Sequence, residues 1–396
     1  MLFTKEITQI NFDDVDIFCK QQIPESVHLD YKKDFPTNLE KTISAFANTM
    51  GGLIIIGVED KDSKPKLPVK GIKYHKGLRE RVNNIILSNI YPPVFPEIQV
   101  CEPDNNMTFV IIRIPQSNMT PHYILHRTKI YIRTDDITSP EKLAPAEQIE
   151  WLRDRRKKSE ELREFLYAAA YDRYKNYIKL YNKEIPFSEG IISIAPLYPT
   201  KSYKTHQEIE KISENIRVSG YQSKLFPDVS NKRSIQGGVA YSTYNGRTFY
   251  TEINQFGLIY HKENLGVIED NTDDYNKTYL SWIIELIDLF LEASSKFYKE
   301  LGYWGLLEFK FSLEKLLGVV LIGIDKEPIE MRIKKIKNLS IDDTLEWQRE
   351  YCVDDIKNKR IEILIKLIID ISWSLGFRYI TEDIIKDFLR KNNRLS

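Results

Sequence analysis

Apolar positions recur with two spacings along the first 155 residues, and the switch between them marks out short elements. Val15, Phe18 and Cys19 share one side of a helix over Phe12–Gln22, stopped by Pro24. Val27–Lys33 alternates as a strand does. Leu39, Ile43 and Phe46 predict a helix over Asn38–Asn48. Gly51-Gly52 ends it, and Leu53-Ile54-Ile55-Ile56-Gly57-Val58 follows without a polar residue, which predicts a strand buried on both faces. Gly77–Ile90 is an amphipathic helix ended by Pro92-Pro93. Phe109–Ile114 and Lys129–Arg133 read as strands and Pro145–Arg155 as a helix.

The texture changes after Pro186. Gly190–Pro196 reads as a strand and His206–Asn215 as a helix. Val239–Tyr244, Thr248–Asn254 and Leu258–His261 predict an antiparallel meander with turns at Asn245-Gly246 and near Gly257. Lys277–Glu300 is a long helix. Gly305–Phe311 and Leu317–Ile324 are strands, and Lys357–Trp373 and Thr381–Lys391 are helices. The expected class is α+β (mixed α/β), in two domains: residues 1–152, then a charged helical connector over 153–185, then 186–396. A length of 396 residues agrees with two domains. No catalytic pattern stands out in the second domain, so a sensing, partner-binding or dimerising role is expected there.

Composition narrows the class. With 42% hydrophobic and 29% charged residues the chain is expected to fold and stay soluble. Its formal net charge is +0, so whole-chain charge gives no argument for nucleic acid. Local charge differs. Between Lys64 and Tyr91 stand Lys64, Lys66, Lys70, Lys73, Lys76, Arg79 and Arg81 against Glu80 alone, whereas Lys262–Glu292 has eight acids against two lysines. A solvated face is the plain account of each run, yet a basic first domain also suits a phosphate-rich partner. Arg155-Arg156-Lys157-Lys158 reads as a solvated helix before an RNA contact. Cys19, Cys101 and Cys352 lie far apart and form no zinc spacing, so free thiols in a reducing compartment are expected. No signal peptide or membrane-length apolar run is visible, which points to a cytoplasmic protein without a membrane partner.

Three segments carry the chemistry: Glu25-Ser26-Val27-His28-Leu29-Asp30-Tyr31-Lys32, then Ser44-Ala45-Phe46-Ala47-Asn48-Thr49-Met50-Gly51-Gly52, then Ile56-Gly57-Val58-Glu59-Asp60. The glycine pair lets a helix end tightly against a buried strand, and Asn48 and Thr49 are placed to hydrogen-bond neighbouring backbone. No Gly-Lys-Ser/Thr follows, which excludes a P-loop. In order and spacing these segments resemble the Schlafen AlbA_2 family, and Pro121-His122-Tyr123 and Tyr131-Ile132-Arg133-Thr134 resemble its later strands. The resemblance spans about Ile7 to Leu152.

That resemblance implies a site. In the family's nuclease members three acids bind a divalent metal and cut RNA; by position these are Glu25, Asp30 and Asp60, with Mg2+ or Mn2+ as the implied cofactor. Asp30 departs from the family's Glu, one methylene shorter. Glu59 competes with Asp60, because successive strand residues point to opposite faces. Nucleic-acid contacts are expected from Lys32, Lys33, Arg79 and Arg81, and from Arg127, Lys129 and Arg133, which share one strand parity with Tyr131. His122 reads as a packed side chain. Three functions follow: a metal-dependent endoribonuclease acting on tRNA-like RNA, of anti-phage or toxin type; a DNA- or RNA-binding regulator that does not cut; or an ATP- or nucleotide-binding protein. A homodimer, and a protein or small-molecule trigger at the C-terminal domain, are expected only by analogy.

Overall fold

The computed structural model describes residues 2, 5–134, 140–180, 187–199, 202–220, 224–243, 248–267, 277–324 and 340–395. The chain divides into two compact units, Met1–Glu160 and Glu161–Ser396. It is a mixed α+β protein.

The N-terminal unit is organised by the apolar run. Strand β1 (Leu29–Lys32) lies parallel to β2 (Gly52–Ile56). The hairpin strands β3 (Asp60–Lys61) and β4 (Lys64–Pro65) follow, then β5 (Ile72–Lys73), β6 (Ile90–Tyr91) and β7 (Glu97–Val100). After β8 (Met107–Thr108), β9 (Val110–Ile114) completes a four-stranded sheet of order β1-β2-β9-β7. Alternation along β2 sorts the isoleucines. Ile54 and Ile56 face a core built from α2 (Leu39–Asn48) and α3 (Leu78–Asn89). Leu53 and Ile55 face a second core with Val15 and Phe18 of α1 (Phe12–Lys20). Each such side chain contributes roughly 1.5–3 kcal/mol on burial. Helix α1 starts at an Asn11–Asp14 capping box.

A second sheet, of order β12-β11-β10-β6, is formed with β10 (Tyr123–Ile124), β11 (Lys129–Arg133) and β12 (Glu141–Leu143). It packs on the other side of α2, where Ala45, Ile124 and Tyr131 meet. Helix α2 thus lies between two sheets, and Thr42–Asn48 is buried throughout. The expected helix at Pro145–Arg155 and the charged stretch after it are one continuous helix, α4 (Ala146–Leu180), and the boundary between the units falls inside it.

In the C-terminal unit seven antiparallel strands run in the order Arg233–Ile235, Gly238–Thr243, Phe249–Asn254, Ile259–Asn264, Glu189–Pro196, Leu306–Glu314, Leu345–Cys352. The expected meander is its first half, and Gly257 turns at φ +89°. The expected Asn245-Gly246 turn lies outside the described residues. One face packs on the helix Leu280–Leu301, the other on Leu166, Ala170, Tyr174 and Tyr177 of α4. The long helix begins at Leu280 because Lys277–Tyr279 pairs in parallel with Val320–Ile322 instead. Strand Leu345–Cys352, charged or polar at half its positions, is a sheet edge that the sequence reading did not place.

Among the described residues no helix is long and apolar enough to cross a membrane.

Candidate nucleic-acid interface

The glycine-rich motif is a clasp. Helix α2 ends at Asn48, whose side-chain amide donates to the carbonyls of His122 (2.8 Å) and Tyr131 (2.9 Å) while its Oδ1 accepts the His122 N–H (2.8 Å). Thr49 Oγ1 donates to the Ala45 carbonyl and accepts the Arg133 N–H, both at 2.8 Å. Gly51 has φ +71°, and a β-carbon there would lie 2.5 Å from the Ile114 carbonyl oxygen. Arg155 caps the helix end, donating to the carbonyls of Asn48 (3.0 Å) and Thr49 (3.3 Å). His122 is buried, with Nδ1 2.6 Å from the Pro92 carbonyl, and burial lowers its pKa to about 4. It is a neutral packing residue, as expected.

The clasp holds Arg133 in place, and this corrects its expected role. Its side chain is 1% exposed and cannot line a nucleic-acid surface. Tyr131 and Arg133 do share a face of β11, but that face turns inward. The guanidinium donates to Asp30 Oδ1 (2.9 Å), Glu141 Oε1 (3.2 Å) and the carbonyls of Ser26 (2.8 Å) and Leu29 (3.4 Å). It also lies over the Phe46 ring at 4.3 Å. Asp30, as buried as its partner, is further paired with Lys32. Glu141 accepts from Thr42 Oγ1 at 2.9 Å and lies 3.7 Å from Lys41 Nζ. Charges so thoroughly buried are tolerated because each is answered by a partner in good geometry.

Glu25 borders this network without joining it. The chain turns tightly from Ser26 to Leu29, so β1 starts two residues later than the alternation implied. Glu25 Oε1 reaches back to accept the Tyr31 N–H at 2.7 Å. Burial raises the Glu25 carboxyl; the Tyr31 N–H opposes this, and the charges of Asp30 and Asp60 reinforce it. Asp60 stands exposed at the start of the β3–β4 hairpin. Glu59 pairs with Lys33 (3.2 Å) and Lys66 (3.3 Å), which hold its carboxyl below the usual range. Glu25, Asp30 and Asp60 are therefore electrostatic neighbours but not a convergent donor set. Among the described residues no three His, Cys, Asp or Glu groups are disposed to hold a metal ion. Asp30 has both oxygens committed to cations and Glu25 has one on backbone. These residues do not fit a resident divalent metal, and no hydrolytic step is derived through one.

The remaining expected contacts fall in two places. Lys33, Arg79 and Arg81 are exposed, with Arg81 stacked over Phe35 at 4.2 Å. Around them Lys61, Lys64, Lys66, Lys70, Lys73 and Lys76 are exposed as well. Among the described residues, Lys61, Lys64, Lys70, Lys73, Lys76 and Arg79 make no ion pair. These lysines were visible as a charge run, but only the fold shows that hairpin β3–β4, β5 and the start of α3 present them all to solvent. Arg127 and Lys129 are exposed elsewhere, Arg127 in the turn before β11 rather than on a strand. The thiols of Cys19 and Cys101 are buried, which pushes both up to about 12; they are not nucleophiles.

The family model described as Schlafen, AlbA_2 matches residues 25–142. No curated protein matches. Among solved structures, the solution structure of the N-terminal domain of a RecG-related protein from Nitrosomonas europaea is similar at 16% identity, covering 35% of this chain and 83% of that one, with a TM-score of 0.23.

Proposed function

With a Schlafen AlbA_2 domain over residues 25–142 as the premise, we propose that the N-terminal unit binds nucleic acid through its phosphate backbone and does not cut it. One observation carries this reading: Lys61, Lys64, Lys70, Lys73, Lys76 and Arg79 are exposed and make no ion pair among the described residues. They fall within one short stretch of chain and are left open, which favours a polyanion by counter-ion release. Of the acids that a metal-dependent nuclease of tRNA-like RNA would use, Asp30 is instead engaged by Arg133 and Lys32 and Glu25 by the β1 backbone, while Asp60 stands exposed.

The test uses labelled RNA and DNA of matched sequence, with the full-length protein in EDTA or in manganese. Binding that is equal in both, with intact oligonucleotide recovered, is the expected result. Manganese-dependent cleavage that Asp60→Ala abolishes would overturn the non-cutting part and restore the endoribonuclease. Absence of binding to either polymer at low salt would overturn the whole reading.

A further inference from the structure

Helix α3 leads from the basic band to a second surface. Arg79, Asn83 and Leu87 are spaced four residues apart and all are exposed. They form one ridge of roughly 12 Å at 1.5 Å per residue. The ridge ends at β6, where Tyr91 is 54% exposed; Leu87, one turn earlier, is 65% exposed. Tyr91 lies opposite Tyr123 of β10, and Tyr123 opposite Ile130 of β11. The two tyrosine rings are 5.6 Å apart between centroids. The alternate residues Ile90, Ile124 and Tyr131 turn inward and are buried, so Tyr91, Tyr123 and Ile130 are the outer face of this sheet. At its margin Leu125, His126, Arg127 and Lys129 are exposed. That turn is fixed to the end of α3: the Leu125 N–H donates to the Asn89 carbonyl (2.9 Å), and His126 Nε2 is 3.0 Å from Asn89 Oδ1.

A sheet face with an exposed Tyr91 ring tilted against a half-buried Tyr123, with cations at two margins, complements a polymer that alternates planar rings with anions. A duplex does not expose the faces of its bases, whereas a single strand does. We propose that this face binds single-stranded nucleic acid, with bases stacked on Tyr91 and Tyr123. Phosphates run along α3 towards Arg79 and past the turn at Arg127 and Lys129. This rests on the nucleic-acid reading above and adds the strandedness of the ligand.

Fluorescence anisotropy with full-length protein, a labelled oligonucleotide and its duplex, at one salt concentration, tests it. The single strand is expected to bind tighter. Tyr91→Ala should weaken single-strand binding roughly 5- to 150-fold, the range for loss of one stacked base. It should change duplex binding little, and Tyr91→Phe should bind as wild type. Tyr91 is exposed, so the alanine variant is expected to fold; Tyr91→Lys, which keeps bulk and adds charge but lacks a ring, is a second check and should also lose the preference. If single strand and duplex both bind but Tyr91→Ala binds the single strand as wild type, the stacking inference fails while the backbone reading stands. In that case the face is left to a protein partner. If neither polymer binds, both readings fail.

Discussion

Two regions of the N-terminal unit are rich in charge and organised in opposite ways. Around Arg133 the central charges are inside and paired: Asp30, Glu141 and two backbone carbonyls surround one guanidinium, and Nε is left without a hydrogen-bond partner. Along Lys61–Arg81 the charges are outside, and most have no partner among the described residues. Both contain residues that the sequence marked for function. The contrast separates them, because a charge buried and paired within the fold has little left to offer a ligand, whereas an open one does.

The comparison can be broken most forcefully at its closed end. Arg133→Met leaves Asp30 buried with only Lys32 for company, and is expected to destabilise the unit by about 3–5 kcal/mol in urea unfolding. The double variant with Asp30→Leu should recover a large part of that loss, since removing both partners avoids an orphaned charge. A loss below about 1 kcal/mol for the single variant would mean that the network is not structural.

A second, smaller effect is read from pH. His122 sits in the same closed region with its pKa lowered to about 4 from 6.5. The unfolded chain therefore takes up a proton there that the folded one refuses. The stability this residue contributes is complete above pH 6.5 and is lost as pH falls towards 4. Unfolding measured from pH 7 to pH 4 should be less steep for His122→Asn than for the wild type; equal slopes would remove His122 from the account.

Glu25 gives the smallest change and the opposite sign. Its carboxyl is raised by burial, so its contribution is fully present below its ordinary value near 4.5 and declines as pH rises through the raised value. Glu25→Gln keeps an acceptor for the Tyr31 N–H and removes that penalty. At pH 7 it should be neutral or stabilising by less than about 1 kcal/mol. Were Glu25 instead a metal ligand, manganese would stabilise the wild type and not the variant.

Much of the fold was legible because period and punctuation agreed. The run Leu53–Val58 between glycines could only be a strand covered twice, and the two cores either side of β2 bear this out. Asn48 and Thr49 were readable as backbone clasps for the same reason: short polar side chains at a helix end bond to what is nearby. Strand Leu345–Cys352 was not, since Arg349 breaks the alternation of Leu345, Trp347 and Tyr351 against Glu346, Gln348 and Glu350. Nor was the fate of Arg133. Strand parity placed it correctly beside Tyr131 but says nothing about which face is inside, and the inward face of β11 is set by α2 packing against it. The acids shared this limit. The family resemblance implied that Glu25, Asp30 and Asp60 act together, and only the fold shows Asp30 turned towards Arg133.

The salt dependence of binding reaches the central claim most directly. Replacing Lys73, Lys76 and Arg79 together by glutamine removes three open cations and no buried contact. The slope of log K against log salt should become shallower by about 2–3, at 0.7–0.9 per cation, with the unfolding midpoint unchanged. A slope equal to that of the wild type would contradict the account, because the phosphates would then be held by some other surface.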